Sequence, residues 1–142
     1  MREQMKTIDL NQIELTEFIG VTDSRQHCKA TFPLLGAHGS ENIAAVYFEI
    51  DPGDNLGKHT DSAEELLVIL AGDLTVTIGE ITVLAKSGQM ILVPAMESHN
   101  IHNNGIQKAK VLGVFGGANN IVATFEQAWL PTHSNVVDTA TL

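Results

Sequence analysis

From Cys28 onward the chain is a succession of short β-rich runs, each cut off by Gly, Pro, Asn or Asp. The runs read CKATFPLL, NIAAVYFEI, EELLVIL, DLTVTIG, EITVLA, QMILVPA and KAKVLGVF. Turn signals recurring at intervals of about eight to twelve residues point to an all-β sandwich or barrel. In DLTVTI, Leu74, Val76 and Ile78 alternate with Thr75 and Thr77, the period of a half-buried strand. Gly79-Glu80 then forms a tight connection into EITVLA, which predicts a hairpin. ELLVIL is apolar at every position from Leu66 to Leu70. That predicts a strand covered on both faces, one towards a barrel interior and one against another layer or subunit. A helix is disfavoured there because the run is short and stops at Ala71-Gly72-Asp73.

The flanks differ in character. Residues 1–27 are mixed and polar and read as an N-terminal arm anchored by Ile13, Leu15, Phe18 and Ile19. Residues 28–130 form the barrel, with Ile121 to Trp129 packing back through Phe125 and Trp129 until Pro131 ends the segment. Residues 131–142 are small and polar and are expected to be a mobile tail.

A chain of 142 residues is the size of one domain with a proper core. Seventeen acidic residues against eight Lys and Arg give a net charge of -9, and the basic residues are scattered. Nucleic acid and anionic membrane both need a concentrated positive surface, so neither is an expected partner. Cys28 is the only cysteine, which excludes an intrachain disulfide and a thiolate metal cluster. The start, MREQMKTIDLNQIEL, has no apolar segment like a signal peptide, and no run approaches bilayer length. A cytoplasmic location is the expectation.

Two stretches carry the chemistry: GDNLGKHTDSAEELLVILAG, residues 53–72, and GQMILVPAMESHNIHN, residues 88–103. His59, Asp61, Glu65 and His99 fall where they can converge on one divalent metal ion. Borderline ions such as Fe, Mn, Zn and Ni accept both imidazole nitrogen and carboxylate oxygen. His59 and Asp61 are two apart, so on an extended segment both point the same way. Glu65 re-enters the cavity after a Ser62-Ala63 turn, and His99 supplies a donor from a different strand across the barrel. Other polar residues read more plainly. Glu64 is a solvated carboxylate, His102 faces away from His99, and His38 belongs to an exposed turn. His27 and His133 carry no signal, and Met90 and Met96 line or cover the barrel.

These two stretches resemble the two motifs of the cupin superfamily. The first motif, G-x5-H-x-H-x3-E-x6-G, is matched by Gly53, His59, Glu65 and Gly72. The second, G-x5-P-x-G-x2-H-x3-N, is matched by Gly88, Pro94, His99 and Asn103. Asp61 stands in place of the second histidine, and Met96 in place of the inner glycine. The resemblance implies a cupin-type double-stranded β-helix, or jelly-roll barrel, often dimeric, with a metal at its wider end. The usual three histidines and one glutamate map to His59, Asp61, Glu65 and His99. Asp61 either ligates the metal, shifting preference towards harder ions, or hydrogen-bonds a ligand histidine or a metal-bound water. His59, Asp61 and His99 also fit the two-histidine, one-carboxylate arrangement of non-haem Fe(II) oxygenases, without a barrel arginine to clamp a 2-oxo acid.

The expectation is a small mononuclear-metal cupin, an enzyme of dioxygenase, lyase or isomerase type acting on a small organic molecule in the barrel mouth. Phe48, Leu67, Ile69, Val93 and Phe115 would line an apolar interior. The alternatives are a non-catalytic small-molecule-binding or sensor cupin and a metal-free structural barrel. A homodimer is expected from the doubly apolar ELLVIL strand.

Overall fold

A computed structural model describes residues 7–142 of the chain. Its strands, in chain order, are β1 (Thr16–Gly20), β2 (His27–Leu34), β3 (Ala44–Ile50), β4 (His59–Asp61), β5 (Glu65–Ala71) and β6 (Asp73–Ile78), then β7 (Ile81–Lys86), β8 (Met90–Val93), β9 (His99–Asn103), β10 (Ala109–Phe115), β11 (Val122–Leu130) and β12 (Ser134–Asp138). They hydrogen-bond in the order β7-β6-β9-β4-β11-β1-β2-β3-β10-β5-β8, with β12 added alongside β11. The β5–β8 ladder continues into the short β7–β8 connection, where Ile69 on β5 bonds through its backbone to Gln89 and Gly88 at 2.9 Å each. The result is a nearly closed all-β barrel, the jelly-roll that the sequence predicts.

Alternation decides which side chains enter the barrel. Leu67 and Ile69 of β5, Phe48 of β3, Val93 of β8 and Phe115 of β10 are all buried, as are Leu74 and Val76 of β6 and Ile101 of β9. Each large apolar side chain taken out of water contributes roughly 1.5–3 kcal/mol. The predicted hairpin closes with Ile78 opposite Ile81, and Gly79 supplies the positive φ of 57° that the two-residue turn requires.

The outer face of β5 is open. Leu66 and Val68 are half-buried and Leu70 is exposed. Among the described residues no layer covers them, which leaves a second subunit as the expected cover. Both flanks also join the barrel. β1, from the N-terminal arm, pairs with β2 and β11. In the segment read as a tail, Ser134–Asp138 forms β12 against β11, and Thr139 is buried with its hydroxyl accepting from Ile121 N at 3.0 Å. Within this polar segment Val137 packs against the core and the Asn135 amide donates to Phe125 O at 3.0 Å, which hold the strand on β11.

His27, which carries no signal in the sequence, ties these flanks to the motif region. Its Nδ1 lies 2.7 Å from Asp54 Oδ2 and its Nε2 2.7 Å from Glu17 Oε2. Burial pulls the imidazolium down, but the two carboxylates outweigh that and raise the pKa above its ordinary value of 6.5. The stabilisation is therefore fully present below about pH 6.5 and is lost as pH rises through the elevated folded value. His27→Gln should destabilise the protein by roughly 1 kcal/mol near pH 5.5, allowing for solvent screening, and by less near pH 9. Denaturant unfolding of both proteins at the two pH values checks this, and an equal gap at both would rule out the charged clamp.

Candidate metal centre

The site is assembled by one short strand and its two neighbours. β4 pairs with β9 through His59 opposite His99, and with β11 through Asp61 opposite Ala123 and His59 opposite Phe125. His59 and Asp61 share the inward face of β4, as their spacing predicts, and both are buried. His99 does not reach across the barrel as expected. It sits on the adjacent strand, directly beside His59, because β4 inserts between β9 and β11. Glu65 opens β5 and is 3% exposed, so this carboxylate is also inside.

Among the described residues, His59, Asp61 and His99 offer ligand atoms that all lie within 4.8 Å of one another. His59 Nε2 is 3.6 Å from Asp61 Oδ2, and His99 Nε2 is 3.3 Å from the same oxygen. Glu65 stands at the margin of this trio, with Oε1 3.7 Å from His99 Nε2. Both imidazoles are oriented by backbone: His59 Nδ1 donates to Gly57 O at 2.7 Å and His99 Nδ1 to Glu97 O at 2.9 Å. That fixes Nε2 of each ring as the atom turned towards Asp61, the arrangement by which proteins present histidine to a metal.

Asp61 Oδ2 and His99 Nε2 are buried without a hydrogen-bond partner, close to each other but not aligned as a bond. Buried polar atoms left unpaired cost about 1–3 kcal/mol each. Two donors sharing one ion at about 2.0–2.2 Å lie no more than about 4.4 Å apart, and Asp61 Oδ2 meets that limit with both His59 Nε2 and His99 Nε2. The chemistry and closeness of the trio therefore suit a divalent ion. Electrostatics agree. Burial, with help from the His99 charge, pushes His59 down to about 4, so this ring is neutral near pH 7. Burial also lifts Glu65 to about 7, with Asp61 adding to the rise. For His99, burial acts downward but is outweighed by Asp61 and Glu65, which raise it to about 10. A divalent ion would compete with the proton held there.

The site opens into a cavity of about 500 Å³ that His59, Asp61 and Glu65 line from within. A second concavity, of about 480 Å³ along β6 and β7, contains none of these residues. The remaining sequence candidates fall elsewhere: Glu64 is exposed, and His102 lies on the opposite side of β9 from His99. His38 is in an exposed turn as expected, but that turn forms part of the cavity rim.

Three residues have roles at the site that the sequence did not show, two of them, Phe125 and Met96, having been noted for other reasons. Phe125 stacks on His59, with ring centroids 4.4 Å apart at 18°. Met96, at the position of the motif's inner glycine, holds φ at 64°, and its N–H donates to Asp61 O at 2.7 Å. The left-handed turn is thus kept by a residue for which it costs about 1–2 kcal/mol. Gly113, in the middle of β10, is required by space rather than by conformation: a Cβ there would collide with Glu65 Oε2 and lie 3.0 Å from Val46 Cγ1. Gly113→Ala should displace Glu65, destabilise the fold by about 1–3 kcal/mol and weaken divalent-metal binding by about tenfold or more. Gly116→Ala, where nothing lies within 4 Å, is the control. Calorimetric titration of both variants decides, and unchanged affinity in Gly113→Ala would place Glu65 away from the metal.

Comparison with known proteins agrees with this geometry. Residues 46–115 match the family model described as "Cupin domain", a span that contains all four candidate ligands. No curated protein sequence matches the chain significantly. Among solved structures, a candidate sugar phosphate isomerase from Acidithiobacillus ferrooxidans is similar at TM-score 0.69 and 17% identity, covering 99% of this chain and 96% of that one. A predicted oxalate decarboxylase from Thermotoga maritima aligns at TM-score 0.65 and 20% identity, over 78% of this chain and 98% of its own. The polyketide cyclase RemF from Streptomyces resistomycificus aligns at TM-score 0.65 and 17% identity, over 79% of each chain. At these identities the likeness is one of fold, and the motif spacing, the barrel and the matched domain together make this chain a member of the cupin superfamily.

Proposed function

We propose that the protein is a mononuclear-metal cupin enzyme acting on a small organic molecule bound in the barrel mouth. One observation carries the reading: the Nε2 atoms of His59 and His99 and the unpartnered Asp61 carboxylate converge at the inner end of a 500 Å³ cavity. His59, Asp61 and His99 would hold the ion, with Glu65 as a fourth donor or as the group that orients His99. A bound Fe, Mn, Zn or Ni ion would supply Lewis acidity or a template for substrate and O2. The trio's two-histidine, one-carboxylate composition favours dioxygenase-type chemistry. Lyase and isomerase chemistry remain on the same scaffold, since the similar structures named above are described as an isomerase, a decarboxylase and a cyclase.

The test begins with metal. Protein purified without chelator, or reconstituted with one of these ions, should hold one ion per chain. It should gain about 2.7 kcal/mol of stability at a free ion concentration of about 100 times Kd. His99→Ala should keep the barrel's circular dichroism and lose both effects. Failure of the wild type to bind any of the four ions after reconstitution would sink the enzyme reading. Binding of a small molecule without turnover by the loaded protein would favour a sensor cupin.

A homodimer belongs to the same proposal. On the outer face of the barrel, Leu112 pairs with Val68 and Val114 with Leu66, while Leu66 pairs with Leu92 and Val68 with Met90. These six side chains form a charge-free sheet surface, suited to meeting a second copy of itself about a two-fold axis. Leu92 is 55% exposed, so Leu92→Glu should leave the fold intact and convert dimer to monomer. Light scattering across a concentration series is the measurement, and a wild type that is monomeric throughout would refute the interface.

A further inference from the structure

The phenylalanines and the tryptophan of this chain gather at one cavity, while its tyrosine, Tyr47, is buried elsewhere. Phe18, Phe32, Phe48, Phe115, Phe125 and Trp129 all line the cavity above the candidate metal centre. The sequence contains five phenylalanines and one tryptophan, so every one of them is in that wall. Several are already engaged edge-on, with Phe125 and Trp129 at 5.2 Å and 78° and Phe18 and Trp129 at 6.0 Å and 72°. Phe18 and Phe32 are half-buried and present ring surface to a planar guest, backed by the buried rings of Phe48, Phe115, Phe125 and Trp129. Aromatic pairs add about 0.5–1.5 kcal/mol each beyond their buried area.

Charge limits the guest further. No lysine or arginine lines the cavity among the described residues, whereas Asp61, Glu65 and Asp138 do. A divalent ion carries two positive charges, which ionised Asp61 and Glu65 offset completely. A motif with histidine in place of Asp61 would leave a net positive charge at the same point. Here none remains to hold an anion, and Asp138 adds a negative charge to the wall. Burying an anion against such a surface is unfavourable.

We infer that the cavity is built for an uncharged, planar aromatic molecule and discriminates against anions of the same shape. The inference rests on the proposed metal reading for the charge balance, but not for the aromatic wall. Much of that wall lies outside the matched domain: Phe18 and Phe32 precede it, and Phe125, Trp129, Val137 and Asp138 follow it. The matched domain supplies the ligands and the flanking strands supply selectivity.

The probes are 2-naphthol and 2-naphthoate, which share one bicyclic ring and differ in charge at neutral pH. Both are titrated calorimetrically into the full chain, with and without loaded manganese. The naphthol should bind at least about tenfold more tightly than the naphthoate in both preparations. Val137→Lys places a cation in the wall away from the ligand trio. It should strengthen naphthoate binding by about tenfold and leave naphthol within about twofold. Phe32→Leu, a milder change at a half-buried ring, should weaken naphthol binding. Equal affinities for the two probes, or no binding of either, overturn the inference. If manganese does not load, the metal reading fails instead. The naphthol preference is then read on the protein without it, where the aromatic wall and its lack of lysine and arginine are unchanged.

Discussion

A single residue pair, His59 opposite His99, joins β4 to β9 and sets two candidate ligands side by side. β4 has only three residues, so its register cannot be set by its own length. It is set by what surrounds it. Leu56 N bonds to Ile101 O, Glu126 N to Lys58 O, Ser62 N to Val122 O and Met96 N to Asp61 O. A slip of one residue would turn His59 and Asp61 outward and place Lys58 and Thr60 in the barrel. The backbone bonds on both sides of β4 therefore hold His59 and Asp61 inward, while Glu65 is placed by the pairing of β5 with β8 and β10.

Much of the barrel was legible because it obeys a period of two. The alternation in DLTVTI, the glycine turn after it and the paired spacing of His59 and Asp61 each report a local geometry that a one-dimensional pattern can encode. The eight matched motif positions located the candidate site before any contact was known. What the pattern could not encode was long-range pairing. The adjacency of His59 and His99 depends on strand order, and the stacking of Phe125 on His59 depends on β11 lying beside β4. Gly113 drew no notice within the run KAKVLGVF, and its need for a bare backbone comes from the neighbouring Glu65 carboxylate. β12 was hidden because Val136 and Val137 are only two apolar residues among polar ones, too short a run to mark a strand without its partner β11.

Two departures from the family pattern behave differently. Met96 leaves the chain path unchanged, absorbing a left-handed conformation that glycine would adopt freely. Asp61 leaves the chain path unchanged as well but alters the electrostatics of everything it faces. It brings a second buried carboxylate beside Glu65, raises His99, and is left with an unsatisfied oxygen. A buried cluster with this excess of acceptors is stable only with protons or cations in it. The sequence difference that at first reads as a damaged ligand set is thus the main source of demand for a cation.

Trp129 gives the cavity an optical identity. It is the only indole in the chain, is 3% exposed, and touches Phe125, whose ring lies flat on His59. Its emission and near-ultraviolet dichroism therefore arise at one place, two rings away from the candidate metal centre. Changes in polarity, packing or paramagnetism at that place register in the protein's own spectrum, and the molecule carries a built-in label for its binding chamber.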